Sequence, residues 1–129
     1  MNEAIDTGVV PSTGPISDCV RSGQHVWMVA IAEDPATGAI VAGDIATQAR
    51  QTLQNLQRAV EAAGGALGDI VQVQIFLIDR DDAAGMNRVY AEFFTTRPFP
   101  VRATVVVKEL LAVGLRIEIT ATAVLGSIR

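Results

Sequence analysis

Apolar residues recur along this chain with two periods, and the switches between them mark its elements. Ile45, Ala49, Leu53, Leu56, Val60 and Ala63 fall at steps of three and four, which places them on one stripe of a helix. Gly43-Asp44 precedes the stripe and Gly64-Gly65 follows it, so Asp44 is suited to cap the start and the glycines to end it. A second stripe, Met86, Val89, Tyr90, Phe93 and Phe94, follows Asp81-Asp82, which is expected to cap it. Between the helices Ile70 to Ile78 alternates: Val71, Val73, Ile75 and Leu77 point one way, Gln72 and Gln74 the other. Upstream, arms near Asp18 to Arg21 and His25 to Ala32 flank Ser22-Gly23 and predict a hairpin, and the turn formers of Glu33 to Gly38 reverse the chain after it. The stretch before Ile16, rich in Pro, Gly, Ser and Thr, reads as an irregular lead-in with one short edge strand.

Two late runs carry the candidate chemistry. In Val101 to Val107 one face is Val101, Ala103, Val105 and Val107, and the other is Arg102, Thr104 and Val106. In Leu115 to Leu125 one face is Leu115, Ile117, Ile119, Ala121 and Ala123, and the other holds Arg116, Glu118, Thr120, Thr122 and Val124. With Lys108 to Gly114 as the loop of an antiparallel hairpin, stacking the two apolar faces together makes Arg102 and Glu118 near neighbours on the opposite face. Flanked by Thr104 and Thr120, they form a pocket suited to a small carboxylate and a water molecule. The alternative is a solvated cross-strand ion pair, which contributes a fraction of a kcal/mol and implies no chemistry. The pattern alone favours the ion pair, and the rest of the chain tips the balance to the pocket.

The element order is strands, helix, strand, helix, strands. It predicts a single α+β domain over residues 1–129 in which both helices cover one face of a mixed sheet. The other face then needs a partner. Half of the residues are hydrophobic and the mean hydropathy is +0.34, high for a small monomer, so a homo-oligomer is expected. No apolar run is long enough to span a bilayer and the acidic N-terminus does not read as a signal peptide, so a cytoplasmic protein is expected. The single cysteine, Cys19, fits a reducing compartment and is either a reactive thiol or a small strand residue with no special role. The net charge of −4 offers no basic stripe and argues against nucleic acid. One histidine, His25, excludes a metal site built on histidine pairs within one chain. Asp79 with Asp81-Asp82 reads as a capped turn, not a divalent-metal site.

Taken together, several residues resemble the RidA (YjgF) family of small imine deaminases: Gly14-Pro15, Asp34-Pro35-Ala36-Thr37-Gly38, Gln48 with Arg50 and Leu53, Asn87 with Tyr90 and Phe93-Phe94, Pro100 with Arg102, and Ile117-Glu118-Ile119. The resemblance spans nearly the whole chain. It implies a chorismate-mutase-like α+β fold, a homotrimer and three ligand clefts between adjacent subunits. It also implies that Arg102 holds a substrate carboxylate, that Glu118 positions water, and that Asn87 and Thr104 line the cleft. The chain departs from the family at Ile16, where members with deaminase activity carry Tyr after Gly-Pro. It departs again in Val29-Ala30-Ile31-Ala32, which lacks a Ser-Gly-Gln-like segment. Ile16 and Ile31 are therefore expected to give the substrate site an altered range.

Hydrolysis of a 2-imino acid needs no cofactor and no metal, because the imine carbon is already electrophilic. It needs placement: Arg102 grips the carboxylate through paired hydrogen bonds and Glu118 directs water at the imine carbon. The expected product is a 2-keto acid with ammonia. Deamination of a larger amino-dienoate is a related option, a non-catalytic trimer that binds small carboxylates a second, and an RNA-cleaving or translation-inhibiting role, a label some family members carry, a third.

Overall fold

The computed structural model describes residues 1–126. Six strands, β1 (Glu3–Ala4), β2 (Cys19–Ser22), β3 (His25–Ile31), β4 (Ile70–Leu77), β5 (Val101–Val106) and β6 (Ile117–Val124), form one mixed sheet in the order β1-β2-β3-β6-β4-β5. All neighbours are antiparallel except β4 and β5, which are parallel and joined through a helix, as a parallel pair requires. Two α-helices, α1 (Ile45–Ala62) and α2 (Ala83–Phe93), are present among the described residues. The α+β architecture follows the sequence reading.

Helix α1 begins where Asp44 accepts a hydrogen bond from the Thr47 amide at 2.9 Å. Past its C-cap, Gly64 takes a φ of +98°, a conformation that favours glycine. Its stripe is fully buried at Ala49, Leu53, Leu56 and Val60, packed on Val26, Ile75, Ile117 and Ile119 of the sheet. Each of the buried Leu, Val and Ile side chains contributes roughly 1.5–3 kcal/mol, so this layer dominates the core.

Polar groups then lock the final strand to α1. Buried Gln48 donates to the carbonyls of Val41 and Gly114 and accepts from the Arg116 amide at 2.7 Å. The Arg116 guanidinium makes a two-pronged contact with buried Asp82, at 3.0 and 3.2 Å. Asp82 therefore does not cap α2 with its side chain. Asp79 does the capping of the short turn before α2, accepting from the Asp81 amide at 2.8 Å, which is the capped turn expected of that acidic cluster.

Two strand expectations are corrected. β5 and β6 do not form a hairpin, because β4 lies between them and pairs with both. Val71 does not join the buried row of Val73, Ile75 and Leu77, because the pairing with β6 shifts register between Ile70 and Gln72 and leaves Val71 exposed.

Candidate active site

In-register neighbours in a sheet share a face, so the strand pairing fixes where each candidate side chain points. Arg102 pairs with Val73 and Thr104 with Ile75, both buried under the helices, so Arg102 and Thr104 lie on the helix side of the edge strand β5. Glu118 pairs with Phe76 on one side and Ile31 on the other, and its neighbours in sequence, Ile117 and Ile119, are buried. Glu118 therefore lies on the uncovered face. Two strand spacings of about 5 Å separate β5 from β6, and three residues along β4 add about 10 Å, so the two backbone positions stand about 14 Å apart with side chains diverging.

Within one protomer Arg102 and Glu118 therefore do not share a pocket, contrary to the sequence reading. The physical reason is the inserted β4, which reverses the face assignment of β5. Val101, Ala103 and Val105 turn to the uncovered side, where Val101 is 71% exposed and Val105 45% exposed. Alternation separated the two faces correctly, yet an apolar face need not be the face turned to the chain's own core.

The structure does assemble the Arg102 half. Its Nη2 donates to Asn87 Oδ1 at 2.8 Å, and its guanidinium carbon lies 4.7 Å from the centre of the Tyr90 ring. Asn87 and Tyr90 sit three residues apart on α2 and so present one face. Arg102 has no further hydrogen bond and no ion pair among the described residues, which leaves the rest of its planar fork available to a carboxylate. Thr104 stands two residues along the same face. Tyr90, which the helix pattern assigned to packing, is the member the sequence reading passed over; its spacing from Asn87 was the available signal.

The other half is on the uncovered face. Glu118 is half-buried between Ile31 and Phe76, with no hydrogen bond or ion pair among the described residues. Ile31 also lines a cavity of about 90 Å³ beside β3 with Thr7, Asp18, Glu33 and Asn55. Burial pushes the Asp18 carboxyl up from its ordinary range, and burial together with the Asp18 charge does the same to Glu33. Asn55 closes the inner wall, donating to the carbonyls of Ile31 and Glu33. Ile16 is exposed in the loop before β2, against a second hollow that also has Asp18 in its wall. Cys19 faces the core, and burial raises its thiol to about 11, so it is not a nucleophile of this site.

The described residues contain no group of three or more acidic, cysteine or histidine side chains able to hold a metal ion, and no helix long and apolar enough to cross a membrane.

A mixed sheet covered on one face by two helices, with an arginine presented from its edge strand, defines a class of small α+β proteins. The profile of the family described as Endoribonuclease L-PSP matches residues 8–125, and the chain belongs to that family, the RidA (YjgF) family. It is 42% identical over 128 residues to the 2-iminobutanoate/2-iminopropanoate deaminase of Salmonella typhimurium, covering 96% of this chain and 98% of that one. It is also 42% identical over 112 residues to a RutC family protein of Pyrococcus horikoshii, covering 85% and 88%. Among solved structures it is similar to E. coli TdcF with bound serine, with a TM-score of 0.86, 34% identity and coverage of 95% and 98%.

Proposed function

We propose that the protein is a cofactor-independent deaminase of small 2-imino acids or their enamines, acting as a homotrimer. Each cleft takes Arg102, Asn87 and Thr104 from one copy and Glu118, Ile31 and Ile16 from the next. One observation carries this reading: a single chain presents an unneutralised guanidinium at its sheet edge and an unpaired, half-buried carboxylate on its uncovered face, too far apart to serve one small molecule. A second copy laid edge to face brings the two halves together. The exposed Trp27, Val101 and Val105 on that face supply apolar surface for such a contact. The name of the Salmonella relative supports the reaction type.

In this reading Arg102 holds the substrate carboxylate in a paired hydrogen bond, with one edge of its fork held by Asn87. Glu118 takes a proton from a water molecule as the water oxygen attacks the carbon of the protonated imine, giving a neutral carbinolamine. Return of that proton to nitrogen makes it a leaving group, and as the C–N bond breaks the carbinolamine hydroxyl gives its proton back to Glu118 and becomes the keto oxygen. The products are ammonia, which takes up that proton, and a 2-keto acid. Exclusion of bulk water between copies strengthens both charged contacts. A single buried free cysteine suits a reducing compartment such as the cytoplasm. The net charge of −4 weighs against an RNA substrate.

The test is ammonia release from imines generated in situ by an amino-acid oxidase. Wild type should accelerate it, and Arg102→Ala should lose about a hundredfold or more in kcat/KM. Undiminished activity in that variant would refute the assignment. Exposed Ile16 offers the cleft no polar group, and this favours as second reading a catalytically silent trimer that binds small carboxylates. Keto-acid binding with unchanged imine lifetime would select it. A preference for bulkier imines would point to an amino-dienoate substrate.

A further inference from the structure

An arginine on an exposed edge strand ordinarily samples many rotamers, and fixing it costs side-chain entropy. Here α2 provides a support. The Arg102 guanidinium lies over the Tyr90 ring, Tyr90 stacks on Phe94 with centroids 4.5 Å apart and planes 24° from parallel, and Phe94 is buried. Three planar groups thus form a column that starts in the core and ends at the guanidinium, while Asn87 holds one edge of the fork at 2.8 Å. A ring face fixes the plane and an amide oxygen fixes the rotation within it.

We infer that Tyr90 is a positioning residue whose ring face, and not its hydroxyl, presents the Arg102 fork to the substrate carboxylate. This rests on the reading of Arg102 as the carboxylate clamp. The hydroxyl takes no part because its oxygen is buried and has no hydrogen-bond partner among the described residues, Arg102 included. A buried hydroxyl left so is a net loss to stability, and phenylalanine would keep all that the clamp uses. Burial also raises the phenol's pKa, against a smaller opposing pull from Arg102, which keeps it neutral and without a role as a proton carrier near neutral pH.

The experiment compares wild type, Tyr90→Phe and Tyr90→Leu by calorimetric titration with 2-oxobutanoate, by imine hydrolysis and by proton NMR of Arg102. Tyr90→Phe should match wild type. Tyr90→Leu should bind 2-oxobutanoate about tenfold more weakly and raise KM about tenfold with kcat within about twofold, because the ring supports a contact made equally in ground and transition states. The ring-current displacement of the Arg102 side-chain protons should persist in Tyr90→Phe and vanish in Tyr90→Leu. Partial unfolding would instead lower kcat and leave the affinity of the folded fraction unchanged. Should the leucine variant fail to fold, Tyr90→Met fills the same space without a ring and gives the same comparison. Wild-type affinity in the ringless variant, equal loss in Tyr90→Phe, or a wild type that binds no 2-oxobutanoate would each overturn the inference. Ring-dependent binding without any acceleration of imine hydrolysis would uphold it and reject the deaminase reading.

Discussion

If each cleft draws Arg102 from one copy and Glu118 from the next, two inactive variants must rescue each other. Arg102→Ala and Glu118→Ala are each expected to lie near the uncatalysed rate, since each empties one half of every cleft. After unfolding and refolding as an equal mixture, a cleft is intact only when its edge comes from a Glu118→Ala chain and its face from an Arg102→Ala chain. Random assembly meets each condition half the time, so about a quarter of wild-type activity should return, for any closed ring of copies. The geometry sets that expectation. Positions about 14 Å apart on opposite faces cannot meet across one small imino acid within a protomer. The assay is ammonia release from in situ imine, with native mass spectrometry to verify mixed assemblies. Mixed assemblies that remain at the level of the separate variants would refute the two-copy cleft.

Cys19 and the Asp18–Glu33 cavity give two further tests. With its thiol raised to about 11, Cys19 in the native protein should react with iodoacetamide at pH 8 at least about a hundredfold more slowly than in denaturant, and comparable rates would contradict its buried setting. Asp18 and Glu33 both have folded-state pKa values raised by burial, so the stability they contribute is present below the ordinary carboxylate range and lost as pH rises through their folded values. At pH 7 Asp18→Asn or Glu33→Gln should therefore raise Tm. Partial exposure holds the gain below about 4 °C. The gain should disappear at pH 3, and a lowered Tm at pH 7 would show the charges to be favourable.

The helices were legible because their apolar stripes are long and their ends carry local chemistry: Asp44 caps as expected, and Met86, Val89 and Phe94 are buried. The hairpin of β2 and β3 followed from Ser22-Gly23, where Gly23 takes a φ of +61°. The order of the last three strands was not legible. Alternation in β5 and β6 is the same whether they pair directly or across β4, because pairing is a long-range choice made by packing. The outward turn of Val101 and Val105 shows the second reason: these residues are apolar yet face away from the core of their own chain, and an apolar pattern read from the sequence assigns them to that core. Of the site, Arg102 with Asn87 was recoverable as one group. Its separation from Glu118 was not, since faces cannot be compared until the intervening strand is known.

The ties made by Gln48 and Asp82 bear on how this protein can diverge. They grip Gly114 and Arg116, so the start of β6, and Glu118 two residues later, takes its position from the helix layer and not from the preceding connection. The fully exposed Leu111 and Val113 lie upstream of that anchor. Changes in their length or chemistry can reshape what the molecule meets at that rim while the carboxylate downstream keeps its aim.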